Sequence, residues 1–292
     1  MDEVNESKSG NGQMDLLASL DLSLDSCSDM TSSENLINAE SEPVGNSFRH
    51  KGVPEKLLVL DTETTGLNPE KDHCLEVGAI LFHIESRAVL AQQSFLIPVA
   101  SNEAVTINRI SAEITKLEQP LQQALEYFQA LLDATDILVA HNAAFDRQWF
   151  GKEPLPNICK PWLCTMEDIS WPKERQLRPR PSVRDLALAY GVPVWSAHRA
   201  LTDCIYLAEV LSRCEDLENL LFQGLEPRRL MRAEVSYENR HLARNAGFRW
   251  NDPVQGAWTR RLSDREALAL DFSVLPVDKG DELGTTGRML SF

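Results

Sequence analysis

Leu57-Leu58-Val59-Leu60-Asp61-Thr62-Glu63-Thr64-Thr65-Gly66 is the stretch on which the reading of this chain turns. Four apolar residues make a short buried strand, and two carboxylates follow on alternate positions as it ends. Side chains alternate between the two faces of a strand, so Asp61 and Glu63 point toward the same side. Two carboxylates on one side form a chelate for a hard cation. Taken alone, however, acids just beyond a strand cap loops more often than they bind metal.

Downstream, the apolar runs Leu75 to Phe82 and Val89 to Ile97 predict two more strands and hence a meander. Leu121, Leu125, Phe128, Leu131 and Leu132 then recur at helical spacing behind Pro120, and Ile137 to Ala140 predicts a fourth strand. A fifth is expected over Pro161 to Thr165. Ser182 is placed to cap a helix running to Ala189, with Gly191 beyond its end, and Ala200 to Arg213 reads as a long amphipathic helix. Strands first, with helices interleaved later, predict an α/β fold: a mixed five-stranded sheet flanked by helices.

Two further polar clusters punctuate this pattern. His141-Asn142-Ala143-Ala144-Phe145-Asp146 continues directly from the strand Ile137 to Ala140. Polar groups leaving a core strand need partners, and the plain reading makes Asp146 a helix cap and His141 and Asn142 satisfied polar residues. His198-Arg199-Ala200-Leu201-Thr202-Asp203 places a histidine in the loop before the last long helix and an aspartate one turn along it. Such a histidine can approach a water held by neighbouring carboxylates without being a ligand itself.

Together, Asp61 to Gly66, His141 to Asp146 and His198 to Asp203 resemble, in order and spacing, the three motifs of the DEDDh exonuclease family. The resemblance covers roughly residues 55–215 and is similar in particular to the proofreading epsilon subunits of bacterial DNA polymerase III. It implies a ribonuclease H-like fold and a 3′–5′ exonuclease that releases 5′-mononucleotides. It implies Asp61, Glu63 and Asp203 as direct ligands of two Mg²⁺ ions, with Mn²⁺ able to substitute, Asp146 completing the set through an intervening water, and His198 as general base. Substrate contacts are implied for Thr62, Thr64, Leu67, Glu103, His141 and Asn142. The family's usual His-Gly-Ile segment reads Asn108-Arg109-Ile110 here, so one substrate-contacting histidine is missing. DNA with a single-stranded or frayed 3′ end is the expected substrate; an exoribonuclease, or a non-catalytic binding subunit on the same fold, are the alternatives.

The formal charge of −15 runs against a nucleic-acid partner until it is localised. Residues 1–50 hold ten acids against Lys8 and Arg49, in a polar segment too poor in apolar surface to offset its ordering entropy. Residues 1–52 are therefore expected to be a disordered acidic tail. Within it, Gln13-Met14-Asp15-Leu16-Leu17 reads first as Leu-rich tail and second as similar to the peptides by which bacterial replication proteins dock on the sliding clamp. Basic residues gather instead at Lys173, Arg175, Arg178, Arg180 and Arg184, as a loop flanking the cleft or simply a solvated one.

An exonuclease domain over residues 53–222 is expected to pass through a linker at Gln223 to Pro227 into a small α+β module, residues 223–277, and a tail, 278–292. In the module a strand is expected over Ala233 to Val235, a helix from a Ser236 cap to Gly247, and a hairpin of Phe248 to Trp250 with Ala257 to Arg260. Arg244, Arg249, Arg260 and Arg261 interleave with Phe248, Trp250 and Trp258, a mixture suited to nucleic acid or to a mini-core with a charged exterior. Six cysteines without a Cys-x-x-Cys pair signal neither a zinc knuckle nor a disulfide framework. With no leader-like start and no long apolar run, the chain is read as soluble and cytoplasmic.

Overall fold

Leu57 to Leu60 are fully buried and anchor β1 (Lys56–Thr64), the strand around which the sheet is built. Each such leucine contributes roughly 1.5–3 kcal/mol on burial, which fixes the point at which the following acids emerge. The computed structural model describes residues 54–196 and 198–277. The expected acidic tail, its clamp-like peptide Gln13 to Leu17 and the expected tail 278–292 lie outside the described residues.

β1 pairs antiparallel with β2 (Cys74–His83), which pairs antiparallel with β3 (Ala88–Leu96). Two short helices, α1 (Val105–Asn108) and α2 (Ala112–Thr115), precede α3 (Leu121–Ala134). β4 (Ile137–Ala140) returns parallel to β1 and carries β5 (Trp162–Cys164) on its outer side. The sheet order β3-β2-β1-β4-β5 is mixed and ribonuclease H-like, as expected. Strand alternation divides the core: Leu57 and Val59 face α5 (Val183–Ala189) and α6 (Ala200–Ser212), while Leu58 and Leu60 face α3. α4 (Ala143–Arg147) follows β4, and α5 starts at a capping box formed by Ser182 and Asp185.

The linker expected at Gln223 to Pro227 is corrected by the structure. Gln223 and Gly224 close α7 (Leu217–Gly224), and a Cβ on Gly224 would stand 2.8 Å from Leu163 Cδ1, so this glycine answers a packing demand. The next strand, β6 (Arg229–Ala233), begins earlier than expected because Leu230 and Met231 are its buried residues, a pattern the flanking Arg229 and Arg232 obscure. Ser236 does not cap a helix; it accepts the Asn239 N–H in a turn, and α8 (Arg240–Asn245) starts after Asn239. β7 (Arg249–Trp250) and β8 (Trp258–Leu262) form the expected hairpin. α9 (Asp264–Leu268) and β9 (Val274–Pro276) complete a second sheet of order β7-β8-β6-β9.

The basic residues of the two Arg-rich stretches are largely engaged within the protein. Arg178 pairs with Asp185, Arg180 with Glu167, and Arg175 stacks over the Tyr190 ring. Arg228, with a side chain 6% exposed, is held between Asp168 and Glu266, and Arg249 bridges Glu167 and Asp252. Phe248 is buried in the mini-core, whereas Trp250 is 51% exposed. Among the described residues no helix is long and apolar enough to cross a membrane.

Candidate active site

Asp61 and Glu63 leave β1 on the face covered by α6, and register explains how Asp203 reaches them. Asp61 lies opposite Gly78 and Glu63 opposite Glu76 on β2. A Cβ on Gly78 would fall 2.4 Å from Ala200 C and Leu201 N, so the first turn of α6 rests directly on this glycine. Asp203, one turn in, is thereby brought to β1, and one carboxylate oxygen each from Asp61, Glu63 and Asp203 lie within 4.8 Å of one another. Three hard oxygen donors at this spacing fit Mg²⁺ or Mn²⁺ in charge and chemistry.

The electrostatics fit as well. Burial, then the charges of Asp146, Glu63, Asp203 and Glu76, hold the Asp61 carboxyl well above the usual carboxylate range. Burial and the charges of Asp203 and Glu76 push Glu63 up to about 8, with Arg199 opposing. Asp203 is raised by burial against the opposing N–H donated by His198. Acids crowded out of water in this way are a site that a cation would relieve.

Asp146 contributes no oxygen to the three-oxygen cluster, although its charge acts on Asp61 more strongly than any other. It is 1% exposed and accepts the Thr62 N–H at 3.0 Å and the Thr62 hydroxyl at 2.8 Å, both on Oδ1. Burial still lifts it to about 7 despite those bonds. Thr62, for which a substrate contact was implied, spends its N–H and its hydroxyl proton on Asp146 within the protein. His198 stands exposed ahead of α6 with φ 61°, and its backbone N–H donates to Asp203 Oδ2 at 3.1 Å.

His141 takes the plain reading given above, that of a polar residue satisfied within the protein. Its Nε2 lies 2.9 Å from the Pro181 carbonyl, which can only accept, so this nitrogen carries the proton. Its Nδ1 lies 2.9 Å from the Thr165 hydroxyl. Burial pushes it down to about 4, and the neutral ring ties β5 to the start of α5 with both nitrogens occupied. Asn142 is exposed with φ 74°, Leu67 projects with 53% of its surface exposed, and Glu103 lies on an exposed turn before α1. Thr64 donates its hydroxyl to the Gly66 carbonyl at 2.6 Å.

Sequence reasoning missed three residues that build the site. Asn108 is buried and donates from Nδ2 to the Thr64 carbonyl at 3.0 Å, which pins the end of β1. Glu76 and Arg199 form a bidentate pair directly behind Glu63. The signal for Glu76 was present, because a lone acid in the otherwise apolar run Leu75 to Phe82 must find a charged partner.

Fold and carboxylate cluster together describe a nuclease, and the comparisons agree: residues 58–211, more than half of the chain, match the family model described as exonuclease, and the chain belongs to that family. The family is divalent-metal dependent, in keeping with the oxygen donors found here. Residues 229–277 match a domain of unknown function. The epsilon subunit of DNA polymerase III from Treponema pallidum is 29% identical over 161 residues, covering 52% of this chain and 73% of that protein. A PolC-type DNA polymerase III from Thermotoga petrophila is 28% identical over 189 residues, 62% of this chain but only 13% of the polymerase. Exonuclease X, solved in complex with 5′ overhanging duplex DNA, is 23% identical with a TM-score of 0.41, covering 56% of this chain and 99% of that one.

Proposed function

We propose that this protein is a 3′–5′ exonuclease that removes nucleotides from single-stranded or frayed 3′ ends, with DNA preferred over RNA. The observation that carries this reading is the convergence of Asp61, Glu63 and Asp203 oxygens within 4.8 Å of one another, from residues far apart in sequence. DNA preference rests on the likeness to an epsilon subunit and a PolC-type polymerase, both proteins of DNA synthesis by name.

In this reading Asp61, Glu63 and Asp203 hold a pair of divalent cations, and Asp146, fixed by Thr62, completes the acidic set behind them. Bound cations supply charge to offset the negative charge that builds on a phosphodiester under attack. His198, in the loop at the mouth of α6, takes the proton of the attacking water through its imidazole. Leu67, exposed beyond β1, offers an apolar surface against the terminal base.

The test is a time course on DNA and RNA oligonucleotides labelled at either end, with Mg²⁺ and with chelator. Single-nucleotide release from the 3′ end of DNA, abolished by chelator and by Asp61→Asn, is the expected result. Trimming that is unchanged in Asp61→Asn would overturn the assignment, and faster release from RNA would overturn the sugar preference.

A further inference from the structure

Glu76 is the most completely satisfied acid near the cluster, yet it contributes no oxygen to it. It is 1% exposed and accepts four hydrogen bonds. Arg199 donates from Nε to Oε2 at 3.0 Å and from Nη2 to Oε1 at 2.8 Å; the Ala200 N–H donates to Oε2 at 3.1 Å and the Ser94 hydroxyl to Oε1 at 3.1 Å. Three of these donors belong to the two residues at the start of α6, and the fourth comes from β3. A planar guanidinium meeting both carboxylate oxygens fixes angle as well as distance, which a single charge contact cannot do.

What this fork fixes is the beginning of α6. His198 immediately precedes Arg199, and the Asp203 N–H donates to the Arg199 carbonyl at 3.0 Å. Asp203 Oδ2 in turn accepts the His198 N–H. On the strand side, Glu76 is the direct cross-strand partner of Glu63. One ion pair therefore connects the strand that faces Glu63 to the residues on either side of Arg199.

From this arrangement we infer that Glu76 and Arg199 are positioning residues: their bidentate pair is a latch that sets Asp203 and His198 in register with Asp61 and Glu63. The inference rests on the exonuclease reading for its kinetic consequences, but not for its effect on cation binding. Residues one layer behind a metal site typically change affinity or activity by 10–100-fold when removed.

The test uses the full chain with Arg199→Met, Arg199→Lys and Glu76→Gln. Mn²⁺ affinity is read by calorimetry, kcat and KM on a single-stranded DNA oligonucleotide by product release, and folding by thermal unfolding in chelator. The latch predicts that Arg199→Met and Glu76→Gln each weaken Mn²⁺ binding roughly tenfold or more and lower kcat by a similar factor, while KM moves less than about threefold. Arg199→Lys, which keeps charge but loses the fork, should recover part of each loss. Loss of thermal stability with unchanged Mn²⁺ affinity and kcat would make the pair merely structural and overturn the latch. A rise in KM alone would instead make Arg199 a phosphate contact, and would overturn it too. If Arg199→Met or Glu76→Gln does not fold, Arg199→Lys carries the decision on the same readouts. Should the wild-type chain bind Mn²⁺ but degrade no oligonucleotide, the exonuclease reading fails while the affinity arm still decides the latch.

Discussion

Gly78 on β2 and Ala200 at the head of α6 are in backbone contact: a Cβ on Gly78 would lie 2.4 Å from the Ala200 carbonyl carbon. That clearance is why a helix start can sit opposite Asp61, and because the atoms a Cβ would strike are backbone, no side chain can rotate aside to make room. Gly78→Ala should therefore destabilise the fold by roughly 1–3 kcal/mol or more and push α6 outward. For a domain of this size that is a fall in Tm of about 2–12 °C, with weakened divalent-cation binding as Asp203 retreats. Wild-type Tm and Mn²⁺ affinity in Gly78→Ala would show that the contact does not position the site.

The metal-free protein should lose stability as pH rises. Glu63 is lifted from an ordinary 4.5 to about 8 and Asp146 from 3.8 to about 7, in both cases chiefly by burial. A carboxyl raised on folding holds its proton where the unfolded chain has released it, so the folded state binds more protons between the two values. Their contribution to stability is full at and below the unfolded value and is lost as pH climbs through the folded one. Between pH 6 and 8 the loss from Glu63 alone is at most about 3 kcal/mol. Thermal unfolding in chelator should show a lower Tm at pH 8 than at pH 6, and added Mg²⁺ should raise Tm more at pH 8, where the acids are free to bind it. A Tm that is flat or rises over this interval in chelator would refute the raised values.

His198→Ala separates chemistry from metal holding. His198 meets Asp203 through its backbone N–H, a bond that alanine keeps. Turnover should fall by a factor on the order of 10² to 10⁴, the usual worth of a general base, while calorimetric Mn²⁺ affinity stays near wild type. A large loss of affinity would make the imidazole a ligand instead.

How much of this was legible in the sequence depends on the range over which each residue acts. The meander, the Ser182 cap and α6 were readable because apolar spacing and capping are local, and each was found within a residue or two of its expected bounds. The three motifs announced the acids, and alternation alone put Asp61 and Glu63 on one side. Long-range pairing was not readable. Asn108 looked like a lost histidine and is instead the pin on the Thr64 carbonyl; His141 read as a satisfied polar residue, but its partners Thr165 and Pro181 lie too far along the chain to be named from its own neighbourhood. Gly224 looked like linker punctuation because a glycine chosen for close packing and one chosen for a turn are the same letter. In the second sheet, β6 buries the adjacent Leu230 and Met231 between two arginines and so shows no alternation that would have marked it.

Arg244, Arg249, Arg260 and Arg261 were open to two readings, a nucleic-acid surface or the charged exterior of a mini-core, and the pairing of Arg228 in the same module leads to the last expectation. Arg228 donates from Nη2 to the Asp168 carbonyl at 2.6 Å and from Nη1 to Glu266, whose other oxygen accepts the Ser170 hydroxyl at 2.9 Å. The segment bearing Asp168 and Ser170 follows β5, and Glu266 belongs to α9, so this one side chain joins the two sheets' connecting segments through a largely buried contact. Removing one member of a buried ion pair strands the other, at a cost of about 3–5 kcal/mol, whereas replacing both with apolar groups can be near neutral. Arg228→Met should thus lower the Tm by roughly 10 °C, and adding Glu266→Met should recover only part of it, because that change also removes the capping-box bond from the Ser263 N–H and strands the Ser170 hydroxyl, while Asp168 keeps the Cys164 N–H. Equal Tm values for the single variant and the wild type would mean that the pair contributes nothing, leaving the Arg249–Glu167 bridge and the apolar contacts to hold the second sheet.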